Sequence, residues 1–89
     1  MYEWDEDKNA ANLAKHGISF DEASLIFEGR VFSRSDDRVD YGEVRTISTG
    51  LIREVVAVVV VHTGRNGKTR IISARLANRH ERRLYDEHH

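Results

Sequence analysis

The chain predicts an α+β fold: two short N-terminal helices, a four-stranded antiparallel sheet and a C-terminal helix. Three observations carry that expectation. Apolar residues recur at helical spacing only up to about residue 28, a valine-rich apolar run spans Val55 to Val61, and an arginine-rich segment closes the chain from Arg70 to Tyr85. The change of period from helical to extended separates the two halves of the domain.

Asp5 is placed to cap a first helix from about Glu6 to His16, with acidic residues in its first turn and Lys15-His16 in its last, the order that suits the helix dipole. Gly17 ends it. Leu13, with Ala10 and Ala14 beside it, gives the expected apolar face. Ser19-Phe20-Asp21-Glu22 reads as a capping box, and Phe20, Ala23, Ile26 and Phe27 continue at helical spacing to about Glu28 before Gly29. Both helices are expected to lie on a sheet.

Arg30 to Ser35 is the first predicted strand and Asp36 to Gly42 a charged connection. Glu43 to Thr49 makes the second strand, and Gly50 and its neighbours turn the chain. Val55 to Val61 reads as a central strand buried on both faces. Gly64-Arg65-Asn66-Gly67-Lys68 favours a tight reversal, and Thr69 to Arg75 returns as the fourth strand. Asn78, with Glu81 three residues on, caps the closing helix.

One small domain, residues 1–89, accounts for the whole length. No cysteine is present, so neither a disulfide nor a thiolate-bound metal holds the fold. The longest apolar run falls far short of the roughly 20 residues of a membrane span, and no leader pattern is read. The expected setting is cytoplasmic, without membrane contact.

Net charge is −1, but it is unevenly spread: Met1 to Glu43 carries 11 acidic and 5 basic residues, and Val44 to His89 carries 4 acidic and 9 basic. Two readings stand. Either the basic half attracts phosphate, or the halves neutralise each other across the fold.

Strand alternation puts Arg70 and Arg75 on opposite faces unless a bulge intervenes. Arg75, at the strand's end near Arg79, is the better candidate for a site. Arg79, Arg82 and Arg83 share one helical face at spacing that grips phosphates bidentately, or that merely faces water. Glu81 is a capping partner or a proton carrier. His16, His62 and His80 are, by residue type, candidate acids or bases. The histidine spacing makes no metal site, and His88-His89 is either native or a tag remnant.

Without metal or cofactor, such a set supports RNA transesterification: a base deprotonates the 2′-OH, the oxygen attacks phosphorus, arginines stabilise the added charge, and an acid protonates the leaving oxygen. DNA, lacking the hydroxyl, is inert to this chemistry. No Gly-rich phosphate loop or paired-carboxylate arrangement points elsewhere.

Four motifs then carry a family resemblance. They are Trp4-Asp5-Glu6-x-Lys8; Asn12-x-x-Lys15-His16-Gly17-Ile18-x-Phe20; Asp40-Tyr41-Gly42-Glu43-x-Arg45; and Arg70-Ile71-Ile72-Ser73-Ala74-Arg75-x-Ala77-x-x-x-Glu81-x-x-x-Tyr85. In this order, over nearly the whole chain, they resemble the BrnT family of bacterial toxins. The resemblance implies a RelE-like ribonuclease fold and a type II toxin that degrades RNA and slows growth. It implies a BrnA-like antitoxin partner with a ribbon-helix-helix region, which neutralises the toxin and represses the shared operon, so that operator DNA is met only through the antitoxin. No cofactor is implied.

Candidate catalytic residues on this reading are Lys15, His16, Arg75, Arg79, Glu81 and Tyr85; candidate RNA-binding residues are Arg45, Arg70, Arg82 and Arg83; no metal ligand is assigned. Tyr85 is expected to stack on a base or act at the leaving group. The alternative function is a non-catalytic module that docks a DNA-binding partner through the basic closing helix. Self-association, including a dimer of toxin–antitoxin units, is left open.

Overall fold

A computed structural model describes residues 1–38 and 42–88. The Asp40-Tyr41 part of the third motif, with Val39 and His89, lies outside the described residues. The elements run β1 Tyr2–Glu3, α1 Glu6–His16, α2 Phe20–Ala23, a 3-10 helix Ser24–Glu28, β2 Val31–Ser35, β3 Thr46–Ile52, β4 Val56–Arg65, β5 Lys68–Leu76 and α3 Arg79–Glu87. This is the α+β order predicted, with three corrections.

The first concerns strand number. Among the described residues the sheet has five strands, in the order β1-β5-β4-β3-β2, not four. Tyr2 and Glu3 pair in parallel with Thr69 and Arg70, and the Thr69 amide donates to the Met1 carbonyl at 2.9 Å. Two residues are too few to show alternation, so the strand left no pattern in the sequence.

The second concerns helix length. The capping box at Ser19 and Glu22 forms, but the helix tightens to 3-10 geometry after Ala23, where the Ser24 hydroxyl donates to the Asp21 carbonyl at 2.7 Å.

The third concerns Gly50, which lies inside β3 rather than in a turn. A methyl group there would meet the Ile26 Cβ at 2.8 Å and the Val31 Cγ1 at 3.1 Å. The glycine therefore serves close approach of the 3-10 helix to the sheet. The reversal falls instead at Arg53 and Glu54, both with positive φ, 51° and 62°, and β3 starts three residues later than expected. The Asn66-Gly67 turn joins Arg65 to Lys68 as predicted, with φ of 53° and 76° at its two central positions.

β4 is central. Its middle residues Val58, Val59 and Val60 are buried, whereas Val55 and Val56 are exposed; burial on both faces holds only for the strand's middle. On one face Val58, Val60, Ile52, Ile71 and Ala74 pack against Ile18, Phe20, Ala23 and Ile26 to form the core. Each of the valine, isoleucine and phenylalanine side chains among them contributes about 1.5–3 kcal/mol on burial.

α1 meets this core differently from expectation. Leu13 is 48% exposed, and Ala10 and Ala14 also face solvent. The helix docks through amides instead. Asn12 donates to the carbonyls of Ala74 at 2.8 Å and Ile18 at 3.0 Å, and accepts from the Ala74 amide at 3.1 Å. Asn9 accepts from the Phe20 amide at 2.8 Å. Because β1 pairs with only two residues of β5, the edge beyond Arg70 is open, and Asn12 completes it.

β5 carries the bulge on which the arginines' faces depended. Val61 pairs with Ser73 and His62 with Ile71, leaving Ile72 as the extra residue. Val59, Val61 and Thr63 alternate onto one face of β4, so their partners Arg75, Ser73 and Arg70 share that face. The core lies on the other.

α3 covers part of the arginine face. Tyr85, only 4% exposed, anchors it. Its hydroxyl donates to the Arg30 carbonyl at 2.9 Å. The Arg30 guanidinium in return lies 3.9 Å from the Tyr85 ring centroid and donates to the carbonyls of Tyr85 at 3.1 Å and His88 at 2.9 Å. A cation thus closes the helix C-terminus, where the dipole favours it.

Candidate active site

Arg75 and Glu81 form the centre of the arginine face. The strand ends at Leu76, and Asn78 starts α3 with a complete capping box: the Glu81 amide donates to the Asn78 side chain at 2.8 Å, and the Asn78 amide to Glu81 Oε1 at 2.9 Å. The same carboxylate receives Arg75 Nη1 at Oε1 and Nη2 at Oε2, each at 2.7 Å. Glu81 is therefore a cap and an ion-pair partner at once. Its pKa is held below the usual carboxylate value, chiefly by the Arg75 hydrogen bonds against an opposing effect of burial, with the Asn78 amide and the charge of Arg34 contributing. The carboxylate in turn keeps Arg75 more firmly protonated than usual, while nearby Arg38 opposes it.

One cleft adjoins this pair, and a second lies along the strand that carries Arg75. A cavity of about 290 Å³ opens between α3 and the β2–β3 hairpin, lined among others by Arg34, Ile47, Thr49, His80, Glu81 and Leu84. A second, of about 250 Å³, lies between α1 and the edge of β5 and includes Lys8, Lys15, His16, Ile72 and Ser73. Ser73 sits two residues from Arg75 on the same face. The predicted Lys15 and His16 thus border the strand that carries Arg75.

The remaining predicted residues distribute as follows. Arg70 shares the face of Arg75 but pairs with Glu3 at 2.7 Å, tying down β1. Arg45 binds Glu43 at 3.0 Å, and Arg65 approaches the same carboxylate at 3.5 Å; the Arg45 hydrogen bond is the main cause of a lowered Glu43 pKa. Arg79 and Arg83 are exposed and Arg82 pairs with Asp86 at 3.2 Å. These three arginines lie on the flank of α3 away from His80, Glu81 and Leu84. Tyr85 is covered by Arg30, so its ring is closed to a base in this arrangement.

His62 lies on the core side, with its ring edge-to-face on Phe27 and Nε2 at 2.7 Å from the Ser48 hydroxyl, which in turn bonds Ser33 at 2.7 Å. It is remote from the arginine face by strand alternation. Arg34 and Arg38 joined the site without being singled out in the sequence; only the alternation of β2 could have placed Arg34 on the correct face. Among the described residues, no three His, Asp or Glu side chains gather as metal ligands, and no helix is long and apolar enough to cross a membrane.

Residues 4–81 match the family model described as the ribonuclease toxin BrnT of type II toxin–antitoxin systems. The chain belongs to the BrnT family. The 1.1 Å crystal structure of the Brucella abortus ribonuclease toxin BrnT has a similar fold, with a TM-score of 0.66 and 25% sequence identity, covering 89% of this chain and 99% of that one. No curated protein matches the chain. Membership in the BrnT family places the chain among RelE-like ribonucleases and implies pairing of toxin with antitoxin. The two N-terminal helices, multistranded sheet and closing helix of the BrnT fold are those described above.

Proposed function

We propose that the chain is a toxin that cleaves RNA endonucleolytically, without a metal, in the cytoplasm, and so arrests translation and growth. The observation that carries this is the bidentate Arg75–Glu81 pair, with Lys15 and His16 bordering the strand that carries Arg75. Glu81 engages Nη1 and Nη2 and so fixes the plane of the guanidinium. The Nε side of that plane remains for a phosphate, whose planar fork geometry arginine matches. Charge held in place before the reaction stabilises the extra negative charge on phosphorus at no reorganisation cost.

The reaction runs by attack of the RNA 2′-oxygen on the adjacent phosphorus. The 2′-O–P bond forms as P–O5′ breaks, giving a 2′,3′-cyclic phosphate and a 5′-hydroxyl end. One proton leaves the 2′-OH and one reaches O5′. A carboxylate whose pKa is lowered by an arginine is a reluctant base, so Glu81 is assigned to positioning Arg75. His16 and Lys15, in the cleft on the other side of Ser73, carry the protons. Expression of the chain alone tests this: growth arrest with cyclic-phosphate RNA ends formed in chelator supports it, and intact RNA refutes it.

A BrnA-like ribbon-helix-helix antitoxin is the proposed partner, and operator DNA is reached through it. A second reading, that the chain is a non-catalytic docking module, draws on the exposed arginines of α3. Arg79 and Arg83 turn away from both clefts and suit an acidic partner segment. Reversing their charge while leaving Arg75 intact distinguishes the roles: docking weakens and RNA cleavage persists.

A further inference from the structure

The cavity between α3 and the β2–β3 hairpin has no part in the proton and phosphate chemistry above, yet it shares Glu81 with it. We propose that this cavity seats one unstacked nucleobase of the RNA substrate, and that its donor and acceptor layout favours guanine. The inference rests on the ribonuclease reading for its substrate class.

Size is the first argument. At about 290 Å³ the cavity lies at the lower edge of the range for small-molecule sites, suited to a single ring system rather than to a larger ligand. Its lining is the second. Ile47 and Leu84 offer apolar surface to the flat faces of a base, while Arg34, Thr49, His80 and Glu81 supply polar groups around it. Single-stranded RNA is recognised in this way, by splayed bases held on flat or apolar side chains and read along their edges.

The layout of charge selects the base. Arg34 lies close enough for its charge to act on Glu81, so a cationic donor fork stands beside a carboxylate acceptor. Glu81 Oε1 already accepts from Arg75 and from the Asn78 amide, whereas Oε2 accepts from Arg75 alone and retains acceptor capacity. Guanine presents the complementary edge: the acceptors N7 and O6, which arginine reads bidentately, followed by the N1 and N2 donors. Adenine and cytosine present a donor amine where the arginine fork requires an acceptor. Uracil offers only one acceptor on that side.

Contiguity is the third argument. Glu81 belongs both to the cavity wall and to the pair that orients Arg75, so a nucleotide with its phosphate on Arg75 has its base at the cavity mouth.

The test is a titration of the full chain, observed through the methyl resonances of Ile47, Thr49 and Leu84, with the four nucleoside 3′-monophosphates and with inorganic phosphate. Guanosine 3′-monophosphate is expected to move all three methyls and to bind about tenfold more tightly than the other nucleotides. Arg34→Ala, at an exposed strand position, is expected to remove that preference without changing the melting temperature. Equal affinities for the four nucleotides, or cavity methyls that stay still, overturn the proposal. RNA cleavage is read separately. If RNA is cut without regard to base, the subsite falls and the ribonuclease reading stands; if guanosine 3′-monophosphate seats in the cavity but RNA stays intact, the reverse holds.

Discussion

The side-chain amide of Asn12 makes hydrogen bonds in both directions with the backbone of Ala74, standing in for a neighbouring strand at the open edge of β5. A buried donor or acceptor stripped of its partner costs about 1–3 kcal/mol. Asn12→Ala is therefore expected to lower stability by about 2–4 kcal/mol, and Asn12→Asp by at least as much, because a carboxylate cannot donate to Ala74 or Ile18. Thermal unfolding checks this, with each kcal/mol lowering the midpoint by about 4–8 °C in a domain of this size. A midpoint within a degree of wild type would show that α1 does not depend on the amide.

Tyr85 and Arg30 make a comparable reciprocal contact, and it separates a packing role from a chemical one. Tyr85→Phe removes one hydroxyl bond and is expected to cost about 1 kcal/mol while leaving RNA cleavage within about twofold of wild type. Arg30→Ala loses the ring contact and two carbonyl bonds, and the expected cost rises to about 2 kcal/mol. Loss of cleavage in a folded Tyr85→Phe protein would return the tyrosine to the catalytic set.

At the ion pair, Arg75→Ala is expected to reduce cleavage at least about a hundredfold, the scale of removing one preorganised donor to a developing anion. Glu81→Gln keeps the cap acceptor but relaxes the guanidinium, so the expected loss is smaller and the pH–rate profile keeps its shape. Disappearance of one limb of that profile would mean that Glu81 itself moves the proton.

His62 supplies a pH dependence of stability. Burial pushes its pKa below the ordinary value of 6.5, so the unfolded chain binds a proton that the folded one resists. Stability is then full above about pH 6.5 and falls as the pH drops towards the folded-state value. Melting temperatures at pH 7.5 and 5.5 are expected to differ more in wild type than in His62→Gln. Equal differences would exclude His62 as the source.

How much of this was legible in the sequence follows from what each residue's neighbours are. Caps are local, and those at Asp5, Ser19 and Asn78 form as written; so does the Asn66-Gly67 turn. Leu13 is apolar yet exposed, because α1 is held by Asn9 and Asn12, whose partners lie across the fold. At Gly50 the demand for a glycine comes from the approach of Ile26, a tertiary contact that local sequence does not show. For the candidate site, Arg75 and Glu81 could be singled out at short spacing. The entry of Arg34 and the covering of Tyr85 by Arg30 depended on contacts distant in sequence.

The bulge at Ile72 constrains how this lineage of sheets can drift. The partners of Arg70 and Arg75, Thr63 and Val59, lie four residues apart on β4 while the arginines lie five apart on β5, so loss of the single codon for Ile72 would restore regular pairing and leave both arginines on one face. Regular pairing of all the residues from Arg70 to Arg75 would instead carry one of the two arginines through to the core side with every codon still intact.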